Sequence, residues 1–512
     1  MDTQIRTRAP LTVALLVLGA LVLSPALAQE PISGGTISVA VSSWPTSLDP
    51  LLSTSGHDRH VQYSIYNTLT AIDERMDLGP ELARAWETPD ALTIILHLQE
   101  GVSFHDGTPF DAEAARFNVE RMLTHPSSAR VNELAAIDSV EVLGEHTLQI
   151  NLSRPEAGLL LTFADRPGMM VSPASVEGVA DADLRRQAVG TGPFRYVSSV
   201  VDDHIRLERN ADYWEEGLPY LDAVIYRIVL EDPTKIIGLR TGDLDIIDTV
   251  PAGDVGTVSR DPLITYHEIP GTGTRMMAFA LNREPELQDK RVRQALSFAI
   301  DREAMIQALQ FGQAVPARGP FAPTRGVTYH PDLDRYTYDP ERARELLAEA
   351  GYPDGFAMTI DVINRTADRS WSEAIQAFYA DIGVRVTINP EEQVSLNQKW
   401  LGTTDFPSYI GSWGAGAINP DADLVRAFYS EGWWNHPNYA NPEVDALIEQ
   451  ILETFDQEER GRLYREVQEL IVDDAPRLFM FHDNLRYATR TTIHGFLPMA
   501  DWAYRLKEVW TD

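Results

Sequence analysis

The chain has no cysteine. That excludes a disulfide framework, a thiolate nucleophile, a cysteine-based metal site and a lipid-bearing cysteine at the start of a mature chain. Positive charge is also scarce. Lys and Arg number 43 against 76 Asp and Glu, a net charge of −33. Binding to a nucleic-acid backbone needs a concentration of cations and is excluded as a main activity. A bound anion would need its own local basic residue to overcome the general repulsion. Beyond Leu23 no stretch is apolar enough to span a bilayer, which takes about 20 such residues. Catalytic signatures are missing too. There is no G-x-S-x-G elbow and no H-E-x-x-H pair, and Gly190-Thr191-Gly192-Pro193-Phe194 has no following Lys-Ser or Lys-Thr that would make it a phosphate loop. No internal repeat or low-complexity segment is present.

What is present begins with a targeting signal. Arg6 and Arg8 precede an apolar run from Leu11 to Leu23, and Ala26-Leu27-Ala28 follows. A basic start, a short apolar core and an A-x-A site make residues 1–28 a secretory signal peptide. The expected location is the periplasm of a Gram-negative bacterium. At 512 residues, 44% hydrophobic and 23% charged, the mature chain should fold into two or more globular domains.

Periodicity places the elements. Alternation over Gly35–Val41 predicts a strand that runs into a Trp44-Pro45 loop, and Tyr63–Ala71 reads as helical. Asp111 is placed to cap a helix through Met122, and Val140–Leu152 forms a hairpin about Gly144-Glu145. Asp289 and Asp301 open consecutive helices, and Asp339-Pro340 opens another that stops at Gly351. A strand at Met358–Ile363, a helix from Trp371 to Ile382 and a strand at Val384–Ile388 make a β-α-β crossover with parallel strands. Asn441-Pro442 and Asp456 start two more helices before a strand at Arg477–His482.

The chemistry points to binding. His57 and His60 have helical spacing but no third metal ligand at a recognisable interval. Asp421 and Asp423 resemble a calcium loop, yet Leu424 stands where that loop needs glycine. Neither a metal nor a cofactor is expected. Aromatic residues do fall at loop positions, namely Trp44, Trp413, Trp433 and Trp434, and Arg166 sits just before Pro167-Gly168. Aromatic walls with a few polar groups are how a small-molecule pocket is built. In Gly411–Pro420, GSWGAGAINP, a lone Trp413 is followed by residues with almost no side chain until Asn419. Such a segment is either a glycine-rich connector or a loop whose backbone approaches a ligand.

LGPELARAWE, FHDGTPFDAEAARFN, VGTGPFRYV, RNADYW, RVRQALSFAIDREAMI, YDPERARELLAEAGYPDGF and NYANPEVDALI resemble, in this order, signature segments of the periplasmic solute-binding proteins of peptide, nickel and opine ABC importers. The resemblance covers nearly the whole mature chain. It implies an α/β, two-lobed periplasmic-binding-protein type II fold with an extra subdomain, that of cluster C. Lobe I would comprise 29–70, 190–273 and 483–512, with the extra subdomain at 71–189, and lobe II would comprise 274–482. The implied function is capture of a small organic solute, peptide-like, opine-like or otherwise carboxylated, and its delivery by hinge closure to ABC importer permease subunits at the inner membrane. A monomer is expected. The alternatives are a nickel-metallophore binder within the family and a secreted hydrolase outside it.

By the same resemblance Trp413 corresponds to a tryptophan lining the cleft, and Arg166 to an arginine that pairs with ligand carboxylates. Trp44 would lie in the first cleft loop, and the expected ligand-binding set is Trp44, Arg166, Trp413, Asn419, Trp433 and Trp434. In relatives that bind peptides with a free amino end, an aspartate follows this tryptophan. Here Gly414–Ile418 offers no acid, which removes the partner for a free amino terminus.

Overall fold

A computed structural model describes residues 30–512 apart from 393–394, 397–398, 400–406, 415–417, 433 and 436. Ile32–Asp512 forms one compact unit. Its backbone is one long sheet shared by two lobes. Among the described residues eleven strands join it, ten in the order Arg385–Glu391, Ala357–Ile363, Ser408–Trp413, Ile264–Ala278, Arg477–Arg490, Ile246–Ile247, Thr36–Val41, Ala223–Ile228, His204–Arg209 and Phe194–Val200. The eleventh, Ala314–Pro316, pairs with Arg477–Arg490.

Two of these strands carry the chain from one lobe to the other. Ile264–Ala278 and Arg477–Arg490 are antiparallel from Ile264 opposite Arg490 to Ala278 opposite Arg477, and their register breaks between Pro270 and Thr274. Each end belongs to a different core. Tyr487 lies with Val39, Val224 and Ile246 in the first lobe. Leu478, Met480 and Phe481 lie with Ile360, Ile375 and Ile410 in the second, and a third cluster around Phe428, Tyr464 and Val467 fills the rest of that lobe. These cores are joined by the two strands.

A smaller antiparallel sheet, Ala83–Asp90, Thr93–Leu98, Thr147–Leu152 and Ile137–Gly144, stands on the first lobe and shares its core. In Thr93–Leu98 every second residue is buried, the period a sheet with one covered face requires. The helix Ala112–Thr124 covers that face with Ala115, Val119 and Met122, and Asp111 caps it by accepting from the Ala114 amide at 2.9 Å. Asp289, Asp301, Asp339, Asn441 and Asp456 cap their helices in the same way.

Three expectations change. The helix expected at Tyr63–Ala71 spans Arg59–Ile65. It starts earlier because a capping box of Ser55 and Asp58 initiates the turn just before it. It stops early because Tyr66 is extended and Thr70–Ile72 pairs with Leu78–Pro80. The crossover helix begins at Thr366 rather than Trp371, and its flanking strands are parallel, Met358 opposite Val386. The last strand runs past His482 to Arg490, since it has partners in both lobes.

Candidate functional site

Two of the expected site residues, Trp44 and Arg166, lie around the loop after Thr36–Val41. Asp58, fully buried, organises that loop by accepting from the Thr46 amide at 2.9 Å and the Ser53 hydroxyl at 2.7 Å. Trp44 is half-buried and packs against the first-lobe core. Arg166 opens a one-turn helix, Arg166–Gly168, with Asp165 accepting from its amide at 2.7 Å. Gly168 is needed there because a Cβ would collide with the Phe163 carbonyl.

Arg166 Nη1 donates to Ser53 Oγ at 3.2 Å and to the Ser55 carbonyl at 2.9 Å. Its buried Nε has no hydrogen-bond partner and lies 3.6 Å from Asp165. Two more arginines lie around Arg166, one on the Ser53–Ser55 turn and one on Asp165. Arg130 Nη2 donates to the Ser53 carbonyl at 2.8 Å, and Arg59 Nη1 to Asp165 at 3.2 Å. Burial works to raise the Asp165 carboxyl, but Arg59, then Arg166 and its backbone amide, hold it below the usual carboxylate range. Burial depresses the Arg130 guanidinium, and Arg166 and Arg59 add to that against Glu133.

Of these three the sequence marks only Arg166; Arg59 lies inside GHDRH, where the spacing of the two histidines is the conspicuous feature. His57 and His60 have rings 5.8 Å apart, and each has a buried Nδ1 without a partner. Burial lowers both, His60 to about 3, so His60 is neutral at physiological pH. Among the described residues no group of three or more His, Cys, Asp or Glu could hold a metal ion.

Of the GSWGAGAINP stretch, Gly411–Gly414 and Ile418–Pro420 are described. Gly411–Trp413 ends a strand paired with Ile264–Ala278, Trp413 opposite Thr274. Expected to line the cleft, the Trp413 ring is instead 1% exposed, packed against Phe321 and Phe428 with centroids at 5.3 and 5.6 Å. An indole at the end of a central strand, facing a helix, is drawn into the core by its apolar area. Its Nε1 has no partner. The backbone then turns at Gly414, φ 67°, and returns to the described residues at Ile418.

Ile418 and Asn419 cross to the first lobe. Ile418 is buried with Ile72, Ala164 and Met499. Asn419 caps the helix Pro420–Phe428 with its carbonyl oxygen, accepting from the Asp421 amide at 2.9 Å, while its Nδ2 donates to the Gly158 carbonyl at 3.1 Å and Thr162 Oγ1 at 3.0 Å. Nearby, the Ala157 amide donates to the Leu452 carbonyl at 2.9 Å. Gly158 has no room for a side chain, because a Cβ would collide with Asp421 and Asn419. Beside this contact a cavity of about 440 Å³ lies between the lobes, lined by Trp86, Leu160, Leu161, Ile418 and Phe455 with Arg325 and Arg460.

The acids that follow the loop are committed elsewhere. Asp421 binds Arg460 Nη2 at 2.7 Å and accepts from the Tyr464 hydroxyl. Asp423 binds Arg325 at 3.0 Å and pairs with Arg426. The Arg426 guanidinium stacks over Trp434 at 4.9 Å, and Trp434 is half-buried against the second-lobe core. Trp433 lies outside the described residues. The structure thus brings Asn419 to the lobe contact, leaves Trp44 and Trp434 half-buried in separate lobes, and removes Trp413 from the surface.

Residues 77–435 match a profile described as "Bacterial extracellular solute-binding proteins, family 5 Middle". The chain belongs to this family. It is similar to a glutathione-binding protein, GsiB, of Pectobacterium atrosepticum, at 30% identity over 92% of this chain and 93% of that one. A solved structure of the ABC transporter-associated periplasmic binding protein DppA from Helicobacter pylori, in complex with the peptide STSA, superposes with TM-score 0.78 at 26% identity, covering 94% of this chain and 98% of that one. The binding protein AgaA from A. tumefaciens R10, in complex with agropinic acid, superposes equally well, TM-score 0.78 at 26% identity over 93% and 99% of the chains. This family 5 protein therefore has the two-lobed type II binding fold, and it works as the solute-binding receptor of an ABC importer. Its family binds solutes rather than transforming them. No helix among the described residues is long and apolar enough to cross a membrane.

Proposed function

We propose that this receptor captures a small solute bearing a carboxylate, with the arginine-lined turn at Ser53–Ser55 as the anion-binding wall. The observation that supports the reading is that Arg166 and Arg130 both reach the Ser53–Ser55 turn, with Arg59 on the neighbouring Asp165 and Arg166 Nε left without a hydrogen-bond partner, in a chain of net charge −33. A guanidinium in a poorly hydrated cleft binds a carboxylate through charge-assisted, directional hydrogen bonds. The ligands named for the similar proteins, glutathione, a peptide and agropinic acid, fit the same chemistry. Because Asp421 and Asp423 are both paired within the second lobe, recognition does not use an acid of this loop for a free amino terminus.

In this reading residues 1–28 direct export and are removed. Lobe I comprises 29–70, 190–273 and 483–512, the extra subdomain 71–189 and lobe II 274–482. The two strands between the lobes act as the hinge, and solute binding shifts the population toward the form in which Ile418 and Asn419 meet the first lobe. The receptor works as a monomer that presents this form to the permease subunits. Native mass spectrometry of the freshly purified protein tests the solute class. Release of a small anionic solute is expected, and release of only neutral or cationic solutes would refute the anion-binding wall.

A further inference from the structure

Arg325 has no part in the resemblance, yet it contacts Gly414, Ile418 and Asp423 at once. It lies in the helical turn Pro323–Thr328, and its side chain is 2% exposed. Nη2 donates to the Gly414 carbonyl at 3.1 Å and to Asp423 at 3.0 Å, and Nη1 to the Ile418 carbonyl at 3.3 Å. One guanidinium therefore ties the Gly414 and Ile418 carbonyls to the helix Pro420–Phe428 through Asp423.

The same turn reaches the strand between the lobes. Thr324 Oγ1 donates to the Gly271 carbonyl at 3.1 Å, and Thr272 Oγ1 donates to the Gly414 carbonyl at 3.0 Å. Gly271 and Thr272 lie in the register break between Pro270 and Thr274. A break in a ladder is where a strand can bend at least cost. The loop that Arg325 holds ends in Ile418 and Asn419, the residues that enter the first lobe. Bend, loop and lobe contact thus meet at one side chain.

We infer that Arg325 is a positioning residue for capture: it sets the distance between Gly414 and Ile418 and couples the bend in the hinge strand to the docking of Ile418 and Asn419 on the first lobe. Only a planar fork can serve two carbonyls and a carboxylate together, so lysine cannot replace it. Asp423 keeps Arg426 when Arg325 is removed, which protects the lobe from a bare buried charge. The inference rests on the receptor reading above, but its test needs no solute, so its failure would leave the carboxylate assignment standing.

The reporter is the amide of Ala157, whose partner is the Leu452 carbonyl of the other lobe. Hydrogen–deuterium exchange is followed on the full chain for the wild type, Arg325→Met and Arg325→Lys. Arg325→Met should speed exchange at Ala157 by about tenfold or more, with Arg325→Lys between it and the wild type. The Leu152 amide, which donates to the Leu92 carbonyl within the small sheet, should not change. Faster exchange near Gly414 and Ile418 with Ala157 unchanged would reduce Arg325 to a local staple and overturn the inference. If Arg325→Met does not fold, Thr272→Val, which removes the hydroxyl bond from the hinge strand to Gly414, should speed Ala157 exchange in the same direction, and no effect there would equally overturn it.

Discussion

Replacing Glu156 by glutamine should change how the protein's stability depends on pH. Glu156 lies beside the lobe contact, next to Ala157 and Gly158. Burial, then the charge of Asp421 in the second lobe, push its carboxyl up to about 7 from 4.5, with Arg154 and Arg460 pulling the other way. A carboxyl raised in the folded state lowers stability wherever it must be ionised. Below about pH 4.5 it is protonated in both folded and unfolded chains and costs nothing. As pH rises toward 7 the unfolded chain releases the proton more readily, and above 7 the penalty is complete. The difference between about 7 and 4.5 corresponds to at most about 3 kcal/mol. Glutamine keeps the shape without the charge. Urea denaturation of wild type and Glu156→Gln at pH 5 and pH 8 should show the variant gaining on the wild type by about 1–3 kcal/mol between the two. Subtracting the wild type removes the contribution of Glu284, which burial also raises to about 7 in the other lobe. An equal difference at both pH values would refute the assignment of the shift to Glu156.

Arg166→Ala should weaken binding of the co-purifying solute by about 1.5 kcal/mol or more, roughly tenfold, by isothermal titration; unchanged affinity takes Arg166 out of the site. Trp413→Ala should cost about 3–5 kcal/mol of stability, because the ring it removes is packed between Phe321 and Phe428. A thermal midpoint equal to the wild type's would mean the ring is not in the core. Asn419→Ala removes a helix cap and two bonds between the lobes and should cost about 1–2 kcal/mol. It should also raise the radius of gyration in small-angle scattering, and a compact variant would place the lobe contact elsewhere.

Much of the fold was legible because its signals are local. Asp111, Asp289, Asp301, Asp339, Asn441 and Asp456 each stop one strand or loop and start one helix by a bond within four residues, so sequence order alone reveals them. The parallel pair around Thr366–Asp381 was legible for the same reason. The helix at Arg59–Ile65 was misplaced because its end depends on Thr70–Ile72 finding Leu78–Pro80. The arginine wall was largely hidden. Arg59, Arg130 and Arg166 are spread over more than 100 positions of chain, and nothing near Arg130 marks it.

The sequence by itself determined the class of the protein. The missing cysteines, the acidic balance, the apolar run from Leu11 to Leu23 and seven ordered segments are properties of the chain that no packing can alter, and they were enough for a two-lobed binding receptor. Tertiary structure decided which of the expected site residues are buried and which meet the other lobe. Trp413 lies in a strand whether or not it meets a ligand, and only the positions of Phe321 and Phe428 decide that its ring is buried. Arg325 holds Gly414 and Ile418 from about 90 residues away because the hinge strand and the turn beside it are brought together by folding, a closeness that no local periodicity encodes.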